Sequence, residues 1–294
     1  MSTSTKATWF LILVTVMWGL TFPLIKSAVD TINPSAFVAI RLIIAVITFF
    51  PFILHKVPKV TPTIIQGALL LGFFESLCYI CQTIGLQTIS SANSAFITAF
   101  SVVLVPFLSP LFGLGKPTKT DIFASVICLL GIFILTGARV SHIGSGELWS
   151  FGCAFTYALS ISYLQRITLK IKQNIILLVG FQILFAIPLP LIVSLTQPAH
   201  LTLTPILIIA LIFCGSFSTC LTFFLQSKYQ NKISINKAAL IYAFEPVFAT
   251  VFAYFINGEA IYESTIIGGL LVFTSFMVSQ YAHLFEKVWA RTKA

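Results

Sequence analysis

Long apolar stretches follow one another through almost the whole chain, and the polar segments between them are short. Only 9% of the residues are charged and 58% are hydrophobic, whereas a soluble domain carries roughly 25% charged residues. So few charges do not cover a water-facing surface for 294 residues. The sequence therefore predicts an integral membrane protein.

A helix needs about 20 mostly apolar residues to cross the hydrocarbon core of a bilayer. A β-barrel would instead show segments of about 10 residues with alternating polarity, and runs such as WFLILVTVMWGL do not alternate. We therefore predict an all-α integral membrane fold with ten transmembrane helices. Their approximate bounds are Ala7–Ala28, Pro34–Leu54, Thr63–Gln82, Ala92–Phe112, Thr120–Gly137, Glu147–Gln165, Asn174–Leu195, Pro205–Leu225, Ile235–Ile256 and Ser264–Leu284.

Basic residues lie mostly on one side of these predicted spans. The face with both termini carries 14 of the 17 Lys and Arg residues, the opposite face carries Lys26 and Arg139, and Arg41 lies within a span. Because cytoplasmic loops attract Lys and Arg, we expect a multi-pass protein of the inner (plasma) membrane with both termini cytoplasmic. The net charge of +9 then reflects topology, and we expect no nucleic acid partner, which would need a folded basic face.

All six cysteines fall within predicted spans. Cys78 and Cys81 have the CxxC spacing, but they lie in an apolar helix, where small packing residues are the expected interpretation. We therefore predict no disulfide, no metal site and no cofactor.

An internal similarity links the fourth and ninth predicted spans. Shifted by 144 residues, ISSANSAFITAF (89–100) falls on ISINKAALIYAF (233–244), with identity at six of twelve positions. Consecutive spans alternate in direction, and the ninth span comes five spans after the fourth. The two copies must therefore cross the bilayer in opposite directions. We predict two inverted five-helix repeats, residues 1–140 and 141–294, in one membrane domain. Inverted repeats are typical of carriers that alternate access around a site near the midplane.

Several ordered motifs resemble the EamA-type carriers of the drug/metabolite transporter superfamily, and the resemblance covers essentially the whole chain. They are WGLTFPLIK (18–26), Pro34 with FVAIR (37–41), Gly85-Leu86 with Thr88 and Ala92, and EPVFA (245–249) followed by Gly258-Glu259. The resemblance implies inverted repeats, a central substrate cavity and transport without ATP. The chain departs from the family pattern at Gly115-Lys116, where the first repeat often has Gly-Glu.

Three ionisable residues lie deep within predicted spans: Arg41, Glu75 and Glu245. At 1.5 Å per helical residue, they lie about 10–18 Å from the ends of their spans. A charge at the bilayer centre costs about 2.5–3.5 kcal/mol on insertion scales. Two interpretations stay open: Arg41 pairs with one glutamate to hold helices together, or the three residues line the substrate path.

Uncharged polar and aromatic side chains share helix faces with these charged residues, at three- or four-residue spacings. The predicted cavity is wide and aromatic, and it suits a small zwitterion or an amphipathic metabolite. Pro106 and Pro246 are the predicted hinges, because proline removes a helical hydrogen bond. The predicted substrate-binding residues are Trp18, Thr21, Arg41, Glu75, Tyr79, Gln82, Tyr157, Ser160, Gln182, Tyr242 and Glu245.

We therefore predict a secondary transporter, not an enzyme, for an amino acid or similar metabolite, acting as an exporter or exchanger. Proton coupling stays open, and we expect a monomer or weak homodimer in the lipid bilayer. A nucleotide-driven pump and a metalloprotease are disfavoured, because GxxxxGK[ST] and HExxH motifs are absent. A passive channel and an intramembrane enzyme acting on a lipid-like substrate are the alternatives.

The distribution of basic residues predicts the outcome of reporter fusions. A reporter fused after residue 115 should lie in the cytoplasm, and one fused after residue 145 should lie outside. Alkaline phosphatase and green fluorescent protein fusions measure the two locations. The same side for both fusions, or the reversed pattern, would contradict the ten-helix topology.

Overall fold

The computed structural model describes residues 3–54, 59–135, 144–171, 174–198 and 200–292. Within these ranges the chain is helical, and its only β-pairing is an isolated antiparallel bridge between Ile32 and Leu201. The helices are α1 (Thr3–Ala28), α2 (Pro34–Ile53), α3 (Pro62–Thr88), α4 (Ser91–Phe112), α5 (Lys119–Leu135), α6 (Ser145–Ile171), α7 (Ile175–Leu195), α8 (Pro205–Lys232), α9 (Ile235–Asn257) and α10 (Glu263–Thr292).

Seven of the described helices, α1 to α4 and α7 to α9, are long and apolar enough to cross a membrane. Several helices run past their predicted bounds: α6 continues to Ile171 and α8 to Lys232. An apolar run marks the part of a helix that lies in hydrocarbon, whereas backbone hydrogen bonds continue into the polar residues beyond it. The predicted end of the fifth span, Gly137, lies outside the described residues.

The starts of several helices follow from local sequence. Thr61 and Thr204 each accept a hydrogen bond from the backbone N–H three residues on, as N-cap side chains do. Asn33 accepts from the N–H groups of both Ser35 and Ala36. Each of these caps is followed by proline, whose missing N–H costs nothing at the first helical position.

Helices α4 and α9 are both interrupted, and the interruptions fall at corresponding positions of the 144-residue repeat. In α4 the break lies at Ala99–Phe100, and in α9 it lies at Ala243–Phe244. Ser90 and Ser234, which also correspond, cap the two helices in the same way. The repeat detected in the sequence therefore has the same local backbone in both copies.

The glycine that ends α4 differs from the sequence expectation. In sequence, Gly115-Lys116 follows the fourth span as Gly258-Glu259 follows the ninth, but the glycine that caps the end of α4 is Gly113. Gly113 and Gly258 have φ angles of 69° and 67° and occupy the left-handed conformation that closes a helix C-terminus. Gly115 also has a positive φ, of 70°, and lies in the following loop.

The helix contacts have the same pattern in the two halves of the chain. Helix α1 packs on α8 and α9, and α6 packs on α3 and α4. Helix α2 packs on α8 as α7 packs on α3, and two pairs of helices five apart in chain order, α2–α7 and α5–α10, also pack on each other.

Glycines let several of these helices approach closely, as small residues do in membrane bundles. A Cβ added at Gly72 of α3 would lie 2.7 Å from the carbonyl oxygen of Gln182 in α7. A Cβ added at Gly215 of α8 would lie 2.8 Å from the carbonyl oxygen of Arg41 in α2. Both crossings are therefore backbone contacts that leave no room for a larger residue.

Replacing Gly72 with alanine should force α3 and α7 apart. The added methyl group meets backbone atoms, so we expect a loss of about 1–3 kcal/mol, the usual cost of overpacking. Thermal unfolding in detergent, followed by size-exclusion chromatography, measures the change. Gly269→Ala is the matched control, because a Cβ added there would lie 3.7 Å from its nearest neighbour, a side-chain carbon of Val247. Equal melting temperatures of the two variants would contradict this packing.

Candidate functional site

A cavity lies between α1, α2, α3, α4, α6 and α9, and nearly all its lining is provided by polar or aromatic residues. The space that the centre of a water-sized sphere can occupy is about 30 Å³. One water needs about 10–15 Å³ by that measure, so the cavity has room for about two or three waters. Its lining residues are Trp18, Thr21, Arg41, Cys78, Tyr79, Gln82, Thr98, Cys153, Tyr157 and Glu245.

The guanidinium of Arg41 is buried in this cavity and forms no ion pair with the residues that the structure describes. Only 1% of Arg41 is exposed. Its Nε donates to Thr219 Oγ1 at 3.0 Å, and its Cζ lies 3.8 Å from the ring centre of Tyr79. Its Nη1 has no hydrogen-bond partner, and in the described part of the chain no carboxylate pairs with it. Among the described residues Arg41 therefore makes no ion pair with a glutamate, although Glu75 lies close enough to interact electrostatically with its charge.

A π-helical segment of α8, Phe213–Leu221, positions the groups that hold Arg41 and Trp18. Thr219 accepts from Arg41 and donates to the carbonyl of Cys214, five residues earlier. The indole N–H of Trp18 donates to the Ser218 carbonyl at 3.1 Å and to Thr222 Oγ1 at 3.0 Å. Such wide turns leave carbonyl groups available to side chains and occur frequently at functional sites.

Three aromatic rings form one wall of the cavity region. The ring centre of Trp18 lies 5.7 Å from that of Tyr157 and 5.5 Å from that of Tyr242. The two tyrosine rings lie 6.1 Å apart. The hydroxyl of Tyr157 is buried without a hydrogen-bond partner, so it is available to a ligand.

The two buried glutamates have different surroundings. Ser160 donates to Oε1 of Glu75 at 2.6 Å, and Glu75 is not among the residues that line the cavity. Glu245 lines the cavity, is 7% exposed and starts the second half of α9. Glu75 is therefore held within the protein, whereas Glu245 faces the open space.

Seven of the predicted site residues line the cavity: Trp18, Thr21, Arg41, Tyr79, Gln82, Tyr157 and Glu245. Glu75, Ser160 and Tyr242 lie immediately behind them. Gln182 is also buried, but it is not among the lining residues. Its carbonyl meets α3 at Gly72 instead.

Sequence reasoning missed three lining residues, Cys78, Thr98 and Cys153. Cys78 shares one face of α3 with Glu75, Tyr79 and Gln82, and this spacing was a usable signal. Thr98 corresponds to Tyr242 under the 144-residue shift. Cys153 had no such signal.

The predicted hinge prolines do not occupy equivalent positions. Pro246 lies in the first turn of the second half of α9, directly after the break. Pro106 lies within the helical segment Ser101–Leu108, and the break in α4 precedes that segment. Pro106 is therefore not at the interruption, which α4 makes without a proline.

On the face opposite the termini, hydrogen bonds join the ends of α1, α3, α4 and α9. Glu259 accepts from the backbone N–H groups of Ser91 at 3.0 Å and Ala92 at 3.3 Å. Asn257 donates to Ser91 Oγ at 3.2 Å, and Lys26 donates to the Leu86 carbonyl at 2.8 Å. A carboxylate at a helix N-terminus satisfies N–H groups that lack helical partners.

On the other face, glutamines connect α6, α8 and the start of α9. Gln230 donates to the Ile161 carbonyl at 2.8 Å, and Gln165 donates to the Ile233 carbonyl at 3.2 Å. Tyr242 donates to Gln230 Oε1 at 3.1 Å. The cavity thus lies between two hydrogen-bonded layers.

Comparison with known proteins identifies the class of this fold and cavity. The model of the EamA-like transporter family matches twice in succession, over residues 5–137 and 144–280. The chain belongs to the EamA-like transporter family, which makes it a multi-pass membrane protein of a transporter family.

Relatives from three organisms align over most of the chain. An "Uncharacterized transporter" of Archaeoglobus fulgidus is 27% identical over 91% of this chain and 83% of its own length. YoaV of Bacillus subtilis, named an "Uncharacterized transporter", is 24% identical over 95% and 98%. YedA of Escherichia coli K12, named an "Uncharacterized inner membrane transporter", is 26% identical over 86% and 80%.

A solved crystal structure has the same fold. It superposes with a TM-score of 0.74 at 16% identity and covers 94% of this chain and 96% of its own.

Proposed function

We propose that this protein is a secondary transporter that moves a small zwitterionic metabolite, such as an amino acid, by alternating access. The observation that carries this proposal is the unpaired guanidinium of Arg41 in the cavity. Removing the partner of a buried charge is strongly destabilising. A substrate carboxylate that reaches Nη1 of Arg41 supplies the missing partner.

The second charge of the substrate is expected at Glu245. Glu75 already accepts from Ser160, whereas Glu245 lines the cavity together with Arg41. An ammonium group at Glu245 and a carboxylate at Arg41 would leave the substrate's side chain against Trp18 and Tyr157. Aromatic walls with a few placed polar groups are typical of small-molecule sites.

The repeat architecture supports the transport mechanism. We infer ten spans arranged as two inverted five-helix repeats, residues 1–140 and 141–294. The two successive family matches, the corresponding breaks in α4 and α9, and the matched helix contacts favour this arrangement. Inverted repeats give a carrier two related conformations, each open to one side.

The hydrogen-bonded layers on the two faces act as gates in this proposal. Glu259 closes one gate across the N-terminus of α4. Glu259 directly follows Gly258, the glycine that closes α9, whereas Leu114 follows Gly113, the glycine that closes α4. The two gates are therefore chemically unequal, and the gate that contains Glu259 has the stronger closure.

In this proposal the basic residues orient the protein in the inner membrane with both termini in the cytoplasm. The Glu259 gate then faces the outside of the cell. We propose export or exchange by a monomer or weak homodimer.

Glu245 is the residue at which a proton would couple to transport. Replacing it with glutamine should then abolish transport driven by a pH gradient while counterflow persists.

Purified protein should be stabilised by the amino acids that it transports. A melting screen of the twenty standard amino acids identifies binders, because a ligand specific to the folded state raises the melting temperature. Proteoliposomes loaded with the strongest binder should then show saturable counterflow without ATP. Linear, unsaturable flux would indicate a channel, and counterflow that depends on ATP would contradict secondary transport.

Arg41→Gln should abolish the melting shift caused by the strongest amino-acid binder, because the shorter, uncharged glutamine cannot form an ion pair with a carboxylate. The amine analogue of that ligand, which lacks the carboxylate, should not stabilise the wild type. Glu75→Gln is the matched control, and it should keep the shift, since Ser160 can still donate to an amide oxygen. A full shift in Arg41→Gln would exclude the proposed carboxylate site.

Glu259→Gln should loosen the proposed outer gate. Glutamine keeps one acceptor oxygen but loses the charge and the second hydrogen bond at the α4 N-terminus. Hydrogen–deuterium exchange of the peptide covering residues 89–98 should accelerate. Glu263→Gln, a change at an exposed acid of the same face, should leave that exchange unchanged, and equal exchange in both variants would refute the gate.

A further inference from the structure

Two thiols from different helices meet in the cavity. Cys78 of α3 and Cys153 of α6 have their sulfurs 3.4 Å apart, and both residues line the cavity. The CxxC spacing pairs Cys78 with Cys81 in sequence, but the partner in space is Cys153. Nothing in the transport proposal uses either thiol.

We propose that Cys78 and Cys153 form a binding site for trivalent arsenic, taken up as neutral arsenious acid, As(OH)₃. Two S–As bonds form and two As–OH bonds break. The two thiol protons leave with the two hydroxide groups as two molecules of water. No oxidant or reductant is required, because arsenic and sulfur keep their oxidation states.

The sulfur separation favours a bridging atom over a disulfide. A disulfide needs the sulfurs at about 2.05 Å, so they would have to approach by more than 1 Å from 3.4 Å. A pyramidal arsenic atom bonded to both sulfurs keeps them apart. A glycine lets α6 approach α3 beside the two thiols, since a Cβ added at Gly152 would lie 3.2 Å from the sulfur of Cys81.

The cavity also has room for a ligand of this size. Its open space suits about two or three waters, which admits a molecule as small as arsenious acid. Thr98 lies beside the site, with its hydroxyl 3.7 Å from the Cys153 sulfur. The hydroxyl group that stays on arsenic has this polar neighbour.

Arsenic bound per chain tests this site without reference to transport. Purified full-length protein is incubated with sodium arsenite, desalted and analysed by inductively coupled plasma mass spectrometry. We expect one arsenic per chain, released by dithiothreitol but retained at an equal thiol concentration of 2-mercaptoethanol. Cys78→Ser and Cys153→Ser should each lose the bound arsenic.

Cys128→Ser and Cys214→Ser are the matched controls, because these buried thiols lie in α5 and α8 and should leave the stoichiometry unchanged. A second measurement does not depend on the folding of any variant. The folded wild type is loaded with arsenite and denatured, and its unprotected thiols are labelled with maleimide. Cys78 and Cys153 should be protected together. Absence of bound arsenic in the folded wild type, or retention in Cys78→Ser, would overturn the proposal.

Discussion

A guanidinium buried in a narrow cavity, with no carboxylate in ion-pair contact among the described residues, is the interaction on which this account depends. Arg41 is among the largest fully buried side chains of the described residues. Thr219 and the ring of Tyr79 hold two sides of its planar group, and neither neutralises its charge. Because the cavity has room for only a few waters and a buried charge requires compensation, we propose that Arg41 makes the site selective for a ligand with an anionic group.

The rest of the fold keeps this cation in place while leaving one side of it open. The close α2–α8 crossing at Gly215 brings the π-helical segment against Arg41. The same segment holds Trp18 through the Ser218 carbonyl. Ser160 donates to one oxygen of Glu75, and among the described residues neither Glu75 nor Glu245 forms an ion pair with Arg41.

The sequence predicted much of this site, because membrane burial makes each intramembrane polar group informative. A charge in hydrocarbon has few roles, so Arg41 and Glu245 could be assigned to the cavity from position alone. Helical spacing then added Tyr79 and Gln82. Gln182 satisfied the same criteria, but its helix faces α3 at a glycine crossing, and no local pattern reveals which neighbour a helix face meets.

Other features depend on contacts that one sequence does not encode locally. The interruption of α4 lies at Ala99–Phe100, with neither proline nor glycine, and only its correspondence to α9 makes it recognisable. The pairing of Cys78 with Cys153 joins residues 75 positions apart. Whether Arg41 pairs with a glutamate depended on distances between helices, which periodicity leaves undefined.

A structure of the protein with a bound amino acid tests the central claim most directly. The account predicts the ligand carboxylate within hydrogen-bond distance of Arg41 Nη1, with the ligand side chain against Trp18 and Tyr157. Arg41 in an ion pair with Glu75 or Glu245, and a ligand carboxylate held elsewhere, would contradict it.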